Sequence, residues 1–195
     1  MIRVELSAPM LGEPLALELA NTAYAVRGQP QEGLPDPAHL RAWLARMQPR
    51  LKFPLSDADL AAVADVDLAA ALGLRAAIRA LVDAVLDGQS PGPNPVDVIN
   101  RQVRGAPRWP ELTDQEGLRA VIHSSAPGPA AALAEIAEDA IDLCTGPRRG
   151  DLRACYGPGC VLLFLKHHPR REWCSSGCGN RARASRHYHR NRGDG

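Results

Sequence analysis

The chain has 195 residues, of which 45% are apolar and only 4% are aromatic. This length accommodates one ordinary domain and a small module, and it excludes two full-sized domains. A core built mainly from Ala, Leu and Val favours helices. No apolar run approaches the ~18 residues of a membrane span, and the N-terminus lacks the apolar stretch of a secretory signal. We therefore expect a cytoplasmic protein with no membrane partner.

The formal net charge of +1 conceals two parts of opposite charge. From Arg153 onward the sequence holds nine Lys or Arg and two acidic residues, which gives +7, whereas residues 1–152 carry −6. A basic segment of this kind indicates an anionic partner. That partner could be a nucleic acid, an acidic protein, or the acidic first part of this same chain.

The first elements are short. "PLALELANTA" predicts a helix with Pro14 in its first turn, and "VRGQPQEGLPDP" predicts a loop. Asp36 and Pro37 then supply the N-cap and first residue of a helix over "AHLRAWLARM". Ser56 and Asp59 have the spacing of a capping box, which predicts another helix start.

The middle of the chain contains the strongest helical pattern, "DLAAALGLRAAIRALVDAVLDG", which ends at Gly88. "PVDVINRQVRG" predicts the next helix, and "PRWPELT" with "LRAVIHSS" predicts a small β-hairpin. A further helix over "GPAAALAEIAEDAIDLCTG" ends at Gly146, and "PRRGD" is a joint. The predicted fold class is mainly α, with a multi-helical domain over residues 1–146 followed by a small module over residues 150–195.

Four of the five cysteines form two pairs. They are Cys155 and Cys160 in "CYGPGC" and Cys174 and Cys178 in "CSSGC", with thirteen residues between the pairs. A structural zinc ion needs four soft ligands in a tetrahedron, which places the sulfurs within about 4 Å of each other. "YGPG" predicts a tight turn, and residues four apart can meet in the first turn of a helix. The pattern predicts one structural zinc ion.

The segment between the pairs predicts the shape of the module. "VLLFL" and "REW" flank the polar turn "KHHPR" and predict a β-hairpin, so the order of knuckle, hairpin and helix has the layout of a treble-clef zinc finger. Two disulfides or a redox switch would also fit the cysteine spacing, and His167 or His168 could replace one cysteine ligand. We expect Cys144 to be a small buried hydrophobe.

A basic helix follows the last cysteine pair. At 100° per residue, Arg183, Arg186, His187 and Arg190 share one face of "GNRARASRHYHRN". Ala184, Ser185 and Tyr188 lie opposite, around Arg181, and we expect that face to pack on the hairpin. Arginine pairs with phosphate in bidentate fashion, so the helix predicts nucleic-acid binding. The expected contact residues are Arg181, Arg183, Arg186, His187 and Arg190. The alternatives are a solvated helix and a helix docked on an acidic protein surface.

Polar residues interrupt the apolar pattern of the helical domain at Asn21, Arg75 and Asn100. A buried arginine needs a partner, and a small anionic ligand could supply one. An internal pair with a glutamate such as Glu18 is the competing interpretation. The sequence contains no nucleophile–base pair, HExxH motif or Walker loop that would indicate an enzyme.

"CGNR", residues 178–181, carries a resemblance to the CGNR zinc finger, which extends over "GCVLLFL", "RREWCSSGCGNRARA" and "HYHR". The first part resembles the ABATE domain through "LALELANT", "LRAAIRALVDAVLDG", Ile99-Asn100 and "AEDAIDLCTG". Two departures are the three residues between Cys174 and Cys178, where four are commoner, and "KHHP" in place of a polar segment with Asp and Ser. Neither departure removes a ligand.

The resemblance implies a stress-induced transcription regulator whose finger binds DNA. The helical domain would then be a sensor of a small-molecule or anionic effector, or a unit that forms a homodimer. The alternative is a protein–protein interaction module whose basic finger docks onto an acidic partner.

Overall fold

The structure is a computed structural model that describes residues 8–115 and 117–193, with all side chains in these ranges except those of residues 187 and 189–193. The described chain forms seven α-helices and three antiparallel hairpins, which confirms the mainly α fold. The helices are α1 (Leu15–Ala20), α2 (Pro37–Met47), α3 (Asp57–Ala61), α4 (Asp65–Asp87), α5 (Pro93–Gly105), α6 (Gly128–Thr145) and α7 (Ser176–Gly193). The strands are β1 (Ala23–Val26), β2 (Gln29–Glu32), β3 (Arg108–Thr113), β4 (Arg119–Ser124), β5 (Leu152–Ala154) and β6 (Leu163–Leu165), and 3-10 helices span Gln48–Arg50 and Pro147–Asp151.

The helix boundaries follow the predicted capping residues. The Asp36 carboxylate accepts the backbone N–H of His39 at 2.9 Å at the start of α2. Ser56 and Asp59 each accept the backbone N–H of the other, so the capping box at α3 is complete. Gly88 ends α4 with a φ of +65°, a left-handed conformation that glycine adopts at low energetic cost. These local predictions are confirmed.

The segment predicted to be a loop after α1 is instead the β1–β2 hairpin. Val26 pairs with Gln29 across a two-residue turn, and both turn residues have positive φ, +52° for Arg27 and +80° for Gly28. Such turns match the twist of a hairpin. The loop prediction was wrong because β2 is exposed along its whole length and shows no apolar alternation. The predicted hairpin of β3 and β4 is confirmed, with Arg108 opposite Ser124 and Thr113 opposite Arg119.

The core of the helical domain lies between α1, α4 and α6. Every residue of α1 is buried, and α6 is buried along most of its length. α4 packs against both helices and also contacts α2 and α5. Trp43 of α2 is the largest fully buried side chain. Most other core residues are Ala or Leu, as the composition predicts.

The β5–β6 hairpin belongs to two cores at once. Leu152 of β5 and Leu163 and Leu165 of β6 lie in the core of the helical domain. Leu162 and Phe164, which alternate with them, lie in a second cluster with three of the paired cysteines. Successive side chains of a strand point to opposite faces, so a single strand can join the two cores.

This arrangement corrects the predicted hairpin of the module. β6 pairs with β5, which precedes the first cysteine, and residues 171–173 form no strand. Pairing with β5 sets Leu152 opposite Leu165, so that both leucines are buried against the helices. The "REW" segment offers no comparable apolar face. The turn between the first two cysteines therefore lies at the end of the hairpin.

Candidate metal centre and basic helix

Four cysteine sulfurs cluster at the end of the β5–β6 hairpin. The Sγ atoms of Cys155, Cys160, Cys174 and Cys178 all lie within 4.8 Å of one another. The distance is 3.4 Å between Cys174 and Cys178 and 3.8 Å between Cys160 and Cys174. In an ideal tetrahedral zinc site with Zn–S of about 2.3 Å, neighbouring sulfurs lie about 3.8 Å apart. The cluster therefore fits a zinc ion.

Local structure at two elements produces this cluster. Cys155 directly follows β5, and the turn after it brings Cys160 back. Cys174 precedes α7, and the Ser175 hydroxyl accepts the backbone N–H of Cys178 at 3.3 Å at the helix start. A Cβ atom at Gly157 would lie 3.0 Å from Cys178 Cβ and 3.4 Å from its sulfur, so glycine lets the turn approach α7.

The four thiols are close enough to share hydrogen bonds. These bonds lower the pKa of Cys155 and raise the pKa values of Cys160 and Cys174, so the cluster shares its protons unevenly until a metal ion displaces them. All five cysteines are free, and the closest sulfurs are far beyond the ~2.05 Å of a disulfide. Cys144 lies apart from the cluster on α6, where burial raises the pKa of its thiol to about 11.

A buried ion pair joins the metal centre to the helical domain. Glu13, which is fully buried, accepts the Arg171 guanidinium at 2.5 Å and the backbone N–H of Leu165 at 2.9 Å. Arg171 also donates to the carbonyl of Cys174 at 3.0 Å and lies 4.8 Å from the centroid of the Phe164 ring. The sequence analysis missed this pair. A charged "RRE" run usually indicates a solvated surface. The position of Arg171 next to the paired cysteines was therefore the only local indication that it has a structural role.

Asn21 holds the finger from the helical side. Its amide donates to the Leu163 carbonyl at 2.9 Å and accepts the Leu163 N–H at 2.8 Å, so it pairs with β6 as a neighbouring strand would. Arg79 of α4 donates to the carbonyls of Ala20 at 3.0 Å and Val161 at 2.9 Å. Burial lowers the pKa of Arg79. The side-chain amide of Asn21 is thus engaged inside the protein.

Arg75 has an internal acidic partner, although it is not Glu18. Its guanidinium makes two bonds of 2.6 Å to the carboxylate of Glu32 on β2 and one of 3.0 Å to the Thr22 hydroxyl. The hydrogen bond from Arg75 lowers the pKa of Glu32. Glu18 pairs with Arg50 at 3.3 Å. The partner of Arg75 was missed because β2 was predicted to be a loop.

The third polar residue of the helical domain, Asn100, is half-buried on α5 and lines an open cavity of about 340 Å³. The structure does not bring the three polar residues together in one site. The Asn21 side chain bonds to β6, and the Arg75 side chain bonds to β2. Of the three, Asn100 is the one whose side chain lines this cavity.

The zinc cluster fixes the rotation of α7. Cys178 faces the other sulfurs, so the buried side of the helix runs through Gly179 and Ala182. The predicted packing face was wrong in part, because Ala184 and Tyr188 are exposed. Ser185, predicted on that face, is half-buried.

The predicted contact arginines have different surroundings. The Arg181 guanidinium donates to the Cys178 sulfur at 2.9 Å, so it lies beside the metal centre. Arg183 donates to the Asn180 side chain at 2.5 Å, and Arg186 is exposed. Within residues 8–115 and 117–193, neither Arg183 nor Arg186 forms an ion pair with an acidic side chain. The side chains of His187 and Arg190 lie outside the described part of the structure.

Comparison with known families agrees with this geometry. The profile of the ABATE family, described as "putative stress-induced transcription regulator", matches residues 13–147. The chain belongs to the ABATE family. The profile of the CGNR zinc finger matches residues 152–191, so residues 148–151 of the 3-10 helix Pro147–Asp151 separate the two matches. A search of the curated proteins finds no significant match.

The family and the geometry together establish the metal and the general class. The CGNR finger with its four clustered cysteines is a site for one structural zinc ion. The ABATE and CGNR families are regulator and zinc-finger families, and neither is an enzyme family. None of the helices in the described part of the chain has both the length and the apolar character needed to cross a membrane.

Proposed function

We propose that this ABATE protein is a zinc-dependent, DNA-binding transcription regulator and that α7 contacts the DNA. The observation that carries the proposal is the exposed position of Arg183 and Arg186 on a helix held at its start by Cys178. In the described ranges these two arginines have no acidic partner. Zinc supplies rigidity, and the helix supplies cations at fixed positions.

The charge of the finger supports an anionic partner. Residues from Arg153 onward carry +7, and four thiolates with one Zn²⁺ change this to about +5. Guanidinium groups pair with phosphates in bidentate fashion, and such contacts supply most of the non-specific affinity for DNA. Arg181 is expected at the margin of the contact, because it already bonds to a zinc-ligating sulfur.

The ABATE domain is proposed to act as a sensor. The finger docks on it through Glu13, Asn21 and Arg79, so the position of α7 depends on the helical domain. An effector that shifts α4 or α6 would thereby reposition the arginines. This coupling favours a regulator over an independent docking finger.

The test is the salt dependence of binding to a duplex DNA of random sequence. We expect the logarithm of the binding constant to fall linearly with the logarithm of the salt concentration. The Arg183→Ala, Arg186→Ala double variant should reduce the magnitude of this slope by about 1.8, because each lost phosphate contact removes ~0.9 from it. Affinity should fall alike for all sequences, because phosphate contacts carry little sequence information. Zinc content should stay at one ion per chain.

Arg41→Ala is the matched control, because it removes one exposed arginine from α2 of the helical domain. It should leave both affinity and slope unchanged. An unchanged affinity of the double variant at low salt would refute the proposal. Absence of any duplex binding at low salt would favour the alternative, in which the finger docks onto an acidic protein.

A further inference from the structure

A second site candidate lies in the ABATE domain, away from the finger cysteines. The cavity of about 340 Å³ opens between α4, α5 and α6, and its walls include Leu81, Val85, Ile99 and Ile141. Small-molecule sites are mostly apolar concavities of about 300–1,000 Å³ with a few polar groups. The volume falls at the low end of this range, which restricts the occupant to a small molecule.

The polar groups around this cavity favour an anionic ligand. Asn100 lies on one side, and Thr145 and Arg149 lie at the end of α6 and in the following 3-10 helix. The lining residues include a cation and no carboxylate. In the part of the chain that the structure describes, the Arg149 side chain forms no ion pair or hydrogen bond, whereas its neighbour Arg148 pairs with Asp142 at 3.5 Å.

A larger cavity elsewhere in the protein differs from this one in the charges of its lining. It measures about 540 Å³ and is lined by several acidic residues and by Arg50, Arg108 and Arg148. Its three arginines already have acidic partners, which are Glu18 for Arg50, Glu138 for Arg108 and Asp142 for Arg148. Only the smaller cavity combines apolar walls with an arginine that has no partner in the described ranges.

We propose that the smaller cavity binds a small carboxylic acid with a short apolar chain, and that this acid is the effector of the regulator. The apolar part would contact Val85 and Ile99, and the carboxylate would accept hydrogen bonds from Arg149 and Asn100. A carboxylate matches the guanidinium geometry. The assignment as effector rests on the proposed sensor function, whereas binding itself does not.

The position of Arg149 explains how occupancy would reach the finger. Arg149 belongs to the 3-10 helix Pro147–Asp151, which leads directly into β5. The Asp151 carbonyl accepts the backbone N–H of Lys166, just after β6, at 2.9 Å. A ligand held by Arg149 therefore contacts the segment that joins the ABATE domain to the hairpin of the metal centre.

The experiment measures octanoate and 1-octanol binding to the zinc-loaded full chain by calorimetry, without DNA. Octanoate should bind saturably to the wild type. Arg149→Gln should lower the octanoate affinity by about tenfold or more, because the loss of a hydrogen bond between charged groups changes a binding constant by this factor. The octanol affinity should be the same for the wild type and Arg149→Gln. Arg148→Gln is the matched control and should leave octanoate binding unchanged.

A second variant tests the cavity itself. Val85→Phe places a larger side chain on the half-buried wall and should abolish binding of both probes. Circular dichroism must show that the variant folds; if it does not, Arg149→Gln decides alone. Octanoate binding that is absent, or equally strong in the wild type and Arg149→Gln, would overturn the proposal. Failure here leaves the DNA test intact, because the two measurements share no ligand.

Discussion

Arg171 shows how much of the domain contact depends on one side chain. Its guanidinium bonds to the buried Glu13 of the ABATE domain and to the carbonyls of Leu165 and Cys174. A buried carboxylate is tolerated only when it is paired and hydrogen-bonded. Arg171 therefore stabilises Glu13 and holds the backbone beside a zinc ligand at the same time.

Replacing Arg171 with leucine should cost roughly 3 kcal/mol of unfolding free energy. This is the lower end of the range for a broken buried pair, as expected for an arginine whose side chain is 22% exposed. Urea denaturation measures the change. The exposed neighbour provides the control, since Arg170→Leu should alter stability by less than about 0.5 kcal/mol. Equal effects of the two substitutions would contradict the role of the Glu13 pair.

At the scale of the element, α7 owes its position to a close contact at its first turn. A Cβ atom at Gly179 would lie 2.9 Å from Cδ1 of Trp173, the residue before the zinc ligand Cys174. The indole therefore occupies the space that glycine leaves free. Gly177, two residues earlier in the same helix, has no such neighbour, because its nearest atom would be the Ser175 hydroxyl at 3.7 Å.

Gly179→Ala should displace Trp173 and destabilise the finger by about 1–3 kcal/mol, the usual cost of overpacking. Zinc should then be lost at a lower chelator concentration than in the wild type, which a colorimetric competition assay measures. Gly177→Ala is the control on the same helix, and it should leave stability unchanged or raise it by up to about 1 kcal/mol. Tolerance of both alanines would show that the Trp173 contact does not position α7.

On the scale of the whole molecule, the finger and the ABATE domain share hydrophobic cores. Leu163 and Leu165 of β6 face the core of the helical domain, and Leu162 and Phe164, which alternate with them, face the cluster of the finger. The finger also contacts the turn between β1 and β2. A Cβ atom at Gly159 of the finger would lie 2.8 Å from the backbone nitrogen of Gly28 in that turn. Zinc loss should therefore weaken the helical domain as well as the finger.

Removing zinc from the full chain with a chelator should lower the melting temperature followed by helical circular dichroism by more than about 10 °C. Structural zinc supplies ~10–16 kcal/mol in finger peptides, and each kcal/mol is worth about 2–4 °C for a chain of this size. Re-addition of zinc should restore the transition. Cys160→Ser should reproduce the loss, whereas Cys144→Ala should keep one zinc per chain. An unchanged helical transition after zinc removal would mean that the cores are independent.

The sequence by itself determined the features that depend on neighbours along the chain. Asp36, Ser56 and Gly88 mark helix boundaries because caps act within one turn. The cysteine spacing predicted the cluster because a tight turn and a helix start bring paired ligands together locally. The mainly α fold followed from an Ala- and Leu-rich composition with helical periodicity.

Tertiary structure alone decided which distant groups meet. β6 pairs with β5 because that pairing buries Leu152 and Leu165 against α1 and α4, and local pattern carries no information about such a gain. The partner of Arg75 is Glu32, on a polar strand without periodicity, and the partner of Arg171 is Glu13, far away in the sequence. Charged pairs of this kind leave no periodic signal, because the two partners are distant in the sequence and meet only where the tertiary fold brings their segments together.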